Sequence, residues 1–375
     1  MYFQSANIGS EKKLIAIKYI LLAALASGIA LSYNLWLTET RYFPLTPVLD
    51  FLPVINYPFD YFLLFITILL IAVSFVYPFN FLLNISLLGV LIFLALMDIN
   101  RFQPWFYQYL LMILIFCTAT RKQTPVMLIP SLQILICGIY FWSGIFKFNE
   151  LYFSNVIQWF ADPFNESGLI ELIGKLLPVL ELFASIGLLI KQMRKWTLLT
   201  IIFIHLFYLL VLGPLGNNTN DVLLPWNIAM LLFSVLLFSG ENLYQFKGFK
   251  GFFKLKITKV ILLLVWVFPI FNLFNLWPAY TSFNIFSGNT NNGSLYISDY
   301  TKNTLPEEIS TLVRNNALNI KEWSMKELNV PAFPEKKVFI SARNFMYNYA
   351  KDSSEVVLYY QSKAKLIGDS EGKFY

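Results

Sequence analysis

A lysine lies near the end of an apolar run, Gln133-Ile-Leu-Ile-Cys-Gly-Ile-Tyr-Phe-Trp-Ser-Gly-Ile-Phe-Lys147-Phe-Asn149, and the next acid along the chain is Glu150. An ammonium at the centre of a membrane helix costs about 2.5–3.5 kcal/mol, so such a lysine marks a functional site or snorkels to the interface. Counting back from Lys147 by three and four gives Gly144, Tyr140, Cys137 and Gln133, whereas Ile134, Ile139 and Phe146 fall off that line. This spacing predicts that Lys147 faces protein rather than lipid. Facing an apolar cavity, its amine would act as a base; one turn inside the outer surface, its stem could equally reach the headgroups. Aromatic walls at Tyr140, Phe141, Trp142 and Phe146 suit a flat, greasy substrate such as a quinol.

Two more ionisable residues fall at mid-membrane depth. Glu181 is about twelve residues from the outer end of its helix and His205 about ten from the inner end of the next, which at about 1.5 Å per residue is one depth. An antiparallel Glu181–His205 pair is expected, either as a polar clasp between helices or as a proton relay. At the outer edge Asp98, Arg101, Gln103 and Tyr107 cluster, as a corner staple or as part of a site. Trp105, Phe106, Tyr107 and Tyr109 also fit an interfacial aromatic belt. Asn227, in Leu-Pro-Trp-Asn, is placed to hydrogen-bond into the same cavity.

The elements that hold these groups follow from composition. The chain is 57% hydrophobic, 18% aromatic and 13% charged, with mean hydropathy +0.59. Apolar blocks of this length match a hydrocarbon layer about 30 Å thick, which predicts an all-α polytopic membrane bundle. Nine helices are expected, at Lys13–Leu37, Phe59–Tyr77, Phe79–Met97, Pro104–Thr120, Val126–Phe148, Leu169–Ile190, Trp196–Leu212, Val222–Phe238 and Lys259–Leu276. Residues 1–10 read as the remnant of an expression tag, from Tyr2-Phe-Gln-Ser5, and 11–281 as the transmembrane domain. Glu241–Phe246 reads as native loop.

With the amino terminus inside, thirteen Lys and Arg fall in inner segments: Lys12, Lys13, Lys18, Arg121, Lys122, Lys191, Arg194, Lys195, Lys247, Lys250, Lys254, Lys256 and Lys259. Four fall elsewhere, at Arg41, Arg101, Lys147 and Lys175. This bias places the amino terminus in the cytoplasm and accounts for the net charge of +6 without nucleic acid, through contact with anionic membrane lipids. One histidine cannot build a multi-histidine metal or haem site, and Cys117 and Cys137 read as buried free thiols. Residues 282–375 lose the apolar blocks. Strands are expected at Ser294–Tyr300 and Glu355–Gln361 and a helix at Pro306–Asn316, giving a small extracytoplasmic α+β domain. The proline-rich Leu45–Tyr57 reads as a rigid segment, and Leu151–Phe160 as a short helix at the outer interface.

Asp98-Ile-Asn-Arg-Phe-Gln-Pro-Trp-Phe-Tyr-Gln-Tyr109, the run from Gln133 through Tyr140-Phe-x-x-Gly-x-x-Lys147, then Trp159, Pro178-Val-Leu-Glu181 and Ile204-His205 together resemble the HTTM domain. That is the transmembrane region of vitamin K-dependent γ-carboxylase and its bacterial relatives, and the resemblance covers roughly Tyr33–Phe238. It implies a multi-pass bacterial inner-membrane protein with Lys147 as the base on a quinol, reduced vitamin K or menaquinol, and Glu181 and His205 as further catalytic groups. O2 and CO2 would be co-substrates, for epoxidation coupled to carboxylation of a glutamate. Tyr140, Trp142, Gly144, Asp98, Arg101, Trp105, Tyr107, Gln133 and Asn227 are the substrate-binding residues expected beside them, and no metal is implied. Departures from the family are Phe146 in place of a lysine before Lys147, no histidine near Trp105, and an outer region of reduced size. The alternative is a non-catalytic scaffold or a lipid- or quinone-binding module with an envelope protein or peptide partner.

Overall fold

The computed structural model describes residues 2–119, 128–240, 256–365 and 370–375. Arg121, Lys122, Lys247, Lys250, Lys254 and the Glu241–Phe246 loop lie outside the described residues, as do the expected helix ends at Thr120 and Val126. Helix α1 runs Tyr2–Leu31, breaks at Ser32 and is followed by one short turn, α2, Tyr33–Trp36. Then come α3 (Phe59–Val76), α4 (Phe81–Met97), α5 (Pro104–Cys117), α6 (Ile129–Phe146), the short α7 (Ile157–Ala161), α8 (Gly168–Leu189), α9 (Arg194–Leu212) and α10 (Leu223–Phe238). Helix α11 starts at Lys256–Leu262, loosens into a π-helical stretch at Leu263–Val267 and tightens again at Phe268–Asn272.

Among the described residues, five stretches are long and apolar enough to cross a membrane: Glu11–Leu31, Phe59–Val76, Ile129–Phe146, Gly168–Leu189 and Arg194–Leu212. The remaining four of the nine expected spans are shorter; α4, α5 and α10 hold 17, 14 and 16 residues. Large apolar side chains of α3, α8 and α9 stay exposed, among them Phe62, Phe65, Leu169, Val179, Leu199 and Leu206. A surface of that kind is stable against lipid and unstable against water. Helix α6, by contrast, is 83% buried, so its apolar character serves packing against protein.

Glycines set how closely the central helices approach. A Cβ on Gly144 would lie 2.9 Å from the Pro178 carbonyl oxygen of α8, and one on Gly138 would lie 2.5 Å from Val265 of α11. Pro178 has no N–H, so the carbonyl of Gly174 one turn earlier has no partner within the helix. The Tyr152 hydroxyl, just before α7, donates to that oxygen at 2.7 Å.

Lys18 departs from its expected place among inner-loop charges. It is fully buried in α1, donates to Asn84 Oδ1 of α4 at 2.6 Å and rests 4.8 Å from the centre of the Phe116 ring. Arg194 is also buried, and its Nε donates to the Leu188 carbonyl at 2.9 Å. The start of the segment before α3 is tied to the end of α4. Val48 N–H donates to Leu96 O and Ile99 N–H to Thr46 O.

The carboxyl-terminal part forms a four-stranded antiparallel sheet in the order β2-β1-β3-β4: β1 Asn292–Ile297, β2 Ala317–Asn319, β3 Val356–Gln361 and β4 Gly372–Phe374. Strand β3 falls where it is expected, while β1 starts two residues early and ends at Ile297, because Asp299 and Tyr300 open the next helix; the two strands pair from Asn292–Gln361 to Ile297–Val356. The helix expected over Pro306–Asn316 is only α13, Glu307–Ser310, after α12 at Asp299–Thr304. The chain then turns at Asn315 and Asn316, both at positive φ, into β2. Helices α14 (Ile320–Leu328) and α15 (Lys336–Met346) bury Trp323, Leu328, Val338, Phe339 and Met346. This unit docks on the bundle through α14. Glu327 accepts from the backbone N–H groups of Tyr42 and Phe43, and Trp323 packs edge-on against Phe43 at 4.8 Å.

Candidate functional site

Lys147 follows the last turn of α6 and is 0% exposed. Its Nζ donates to Ser143 O at 3.0 Å, Ser143 Oγ at 2.7 Å and Glu181 Oε2 at 2.8 Å. All three N–H bonds of the ammonium are thereby used, and the snorkelling alternative is excluded. The close approach of α6 and α8 at Gly144 and Pro178 brings Glu181, one turn past Pro178, within reach. The second carboxylate oxygen, Oε1, accepts from the Tyr208 hydroxyl of α9 at 2.8 Å. Two opposite charges out of water are tolerable only when both are paired and hydrogen-bonded, which holds for each group here.

His205 does not pair with Glu181. Its Nε2 lies 2.7 Å from the Tyr140 hydroxyl and its Nδ1 2.9 Å from Asn227 Oδ1. The Asn227 amide nitrogen donates to the Leu223 carbonyl at 2.8 Å, which turns Oδ1 toward the ring. Nδ1 therefore carries a hydrogen and donates to Asn227, and Nε2 shares its bond with the Tyr140 hydroxyl. The Tyr140 oxygen also lies 3.2 Å from Ser234 Oγ, whose own hydroxyl donates to Met230 O. Glu181 and His205 nevertheless line one cavity. The partner assignment fails because the lysine offers the carboxylate a full opposite charge, and Tyr140 and Asn227 meet both imidazole nitrogens.

This cavity, about 40 Å³, lies between α6, α8, α9 and α10. Its polar wall is Tyr140, Ser143, Glu181, His205, Tyr208 and Asn227; Ile139, Trp226, Ile285 and Phe286 are among the groups closing the rest. Ile139, which the spacing places off the polar line, is therefore on the cavity face. The volume holds about two or three waters and no fused ring system.

Other expected site residues serve elsewhere. Gln133 donates to the Leu237 carbonyl at 2.8 Å and ties α6 to the end of α10. Gly144 is a packing contact, and Trp142 stacks on Phe146 with centroids 5.4 Å apart. Trp105 fills the space over Gly28 of α1, and Tyr107 leans on Phe283 at 5.7 Å. Asp98 and Arg101 do not pair with each other. Asp98 takes Arg41 at 2.6 Å, while Arg101 donates to the backbone carbonyls of Leu35, Leu94 and Trp36. Asn100 and Gln103 bond to Phe333 N–H and Pro331 O, so this corner joins the bundle to the carboxyl-terminal unit.

The residues that spacing missed are Ser143, Tyr208, Trp226, Ser234 and Phe286. Ser143 is four residues before Lys147, Tyr208 three after His205 and Ser234 seven after Asn227, so a helical-face count from each anchor finds these three, whereas Trp226, next to Asn227, has no such spacing. Nothing in the sequence marks Phe286. Comparison with family models, with curated proteins and with solved structures finds no match.

Proposed function

We propose that this chain is an integral membrane protein with a proton-transfer site at Lys147 and Glu181, related to the transmembrane region of vitamin K-dependent γ-carboxylase and acting on a quinol-like, lipid-soluble substrate. The observation that carries the reading is convergence. Tyr140, Glu181 and His205, which carry the resemblance, lie on three different helices and line one cavity, and Lys147 joins them through its bond to Glu181. We read all nine apolar segments as spans in a bacterial inner membrane, with the carboxyl-terminal unit outside. The shorter α5 fits this, because 13 of its 14 residues are buried and it is shielded from lipid.

A quinol would supply the acidic hydroxyl and the reducing equivalents. The chain's own part is the proton. Moving it from Lys147 Nζ to Glu181 Oε2, across 2.8 Å, leaves a neutral amine able to act as a base. Tyr208 holds Glu181 during that transfer. A fused-ring quinol enters only if the cap at Ile285 and Phe286 moves aside.

The test incubates purified protein with reduced vitamin K or menaquinol and oxygen, with Lys147→Ala in parallel. Epoxide from the wild type alone is expected; none from either, or equal amounts from both, overturns the reading. The small cavity and the full set of bonds on Lys147 favour a second reading, a buried clasp in a non-catalytic scaffold with an envelope partner. In that case neither protein turns over quinol, and Lys147→Ala lowers stability alone.

A further inference from the structure

The cavity is capped by the strand of chain that leaves α11. Ile285 and Phe286 line it, and Phe286 stacks on Tyr208 with centroids 5.9 Å apart and on Trp159 at 6.2 Å. Phe286 has φ 51°, a left-handed conformation that costs an aromatic residue energy and persists only where its surroundings hold it. Gly288, at φ 73°, passes so near the Leu151 carbonyl that a Cβ there would lie 3.1 Å away.

Polar ties hold both sides of the cap. Asn149, just past α6, donates from its amide to Ser287 O at 2.9 Å. Asn284 donates to Asn272 Oδ1 and to Asn289 O, each at 3.2 Å. Asn289 exchanges two bonds with the backbone of Ala364, at 3.0 and 2.8 Å. Lys363 is 4% exposed and its ammonium is bonded to Asn272, to Oδ1 at 2.7 Å and to the backbone oxygen. These partners are neutral, and burial pulls Lys363 down to about 8 from the usual lysine range, with Glu335 opposing. The ties come from residues just beyond β3, so the sheet reaches the cavity through the cap.

We propose that Asn284–Asn289 is a gate over the polar cavity, with Phe286 as its plug, and that Lys363 and Ala364 of the carboxyl-terminal unit are its latch. A ligand or partner that draws the latch away from Asn272 and Asn289 opens the cavity by letting Phe286 leave its left-handed conformation. The gate concerns access and is independent of which molecule enters.

The test introduces a thiol on the cavity wall by Met230→Cys and follows its modification by methyl methanethiosulfonate, peptide by peptide. Cys117 and Cys137 are buried and outside the cavity lining, so they report unfolding in the same sample. With the latch intact, the introduced thiol reacts slowly. Lys363→Met combined with Asn289→Ala, and separately Phe286→Ala, raise that rate at least tenfold while Cys137 stays protected; Lys373→Met, on an exposed strand, leaves it unchanged. Equal rates in all variants overturn the gate. So does exposure of Cys137 together with the introduced thiol in both the latch and plug variants, which makes these residues part of the fold alone.

Discussion

Two buried polar clusters, one around Lys147 and one around Arg101, look alike in the sequence and differ in what they bond. Around Lys147 the links run from side chain to side chain across helices: lysine to carboxylate to tyrosine, and tyrosine to histidine to asparagine. Around Arg101 they run from guanidinium to three backbone carbonyls and from Asp98 to Arg41, with Asn100 and Gln103 reaching the carboxyl-terminal unit. The first cluster borders a cavity lined by protonatable groups. A buried cation committed to backbone carbonyls completes the hydrogen bonding of chain ends and is a structural staple. One committed to an acid can pass a proton.

The sharpest way to break this contrast is Glu181→Gln. It leaves the Lys147 ammonium buried without its counter-charge and is expected to cost about 3–5 kcal/mol, whereas Lys147→Met with Glu181→Leu recovers most of that loss. Thermal unfolding in detergent measures both, and a single variant as stable as wild type shows that the pair is not ionic. Next in size is Arg101→Met, expected to cost about 1–3 kcal/mol, chiefly from the Leu94 carbonyl, because Leu35 O keeps its bond from Arg41 and the Trp36 contact is long. Stability falls, yet quinol turnover per folded molecule is expected to stay at the wild-type level. A lost turnover with full stability would move Arg101 into the site. Tyr208→Phe is the finest probe, removing one bond to a charged group at a cost of about 1.5 kcal/mol. It should lower turnover more than it lowers binding of an oxidised quinone, because Tyr208 holds Glu181 rather than the substrate.

The membrane class and the positions of the apolar helices were legible because a run of apolar residues has a single low-energy place. Lys147, Glu181 and His205 were legible as costly exceptions within those runs, and β1 and β3 from their β-branched and aromatic residues. The pairing of Glu181 with Lys147 was not. Depth along a helix follows from counting residues, but which neighbour a side chain meets depends on rotation and on the close approach at Gly144 and Pro178. Lys18 was misplaced for the same reason. Near a helix end, sequence position alone does not separate a loop charge from one turned toward Asn84. Helices α14 and α15 were not among the expected elements, although their buried positions, Ile320, Trp323 and Leu328, and Val338, Phe339, Ala342 and Met346, recur at helical spacing.

Local chemistry, then, determined that this chain has apolar membrane-type helices with ionisable groups set among them, because burial energy per residue depends on residue type and helical period alone. The acid–base network, the cavity beside it and the Phe286 cap belong to the tertiary structure. Lys147 meets Glu181 across 34 positions and Lys363 meets Asn272 across 91. Contacts at such separations depend on how the helices pack, which no local pattern encodes.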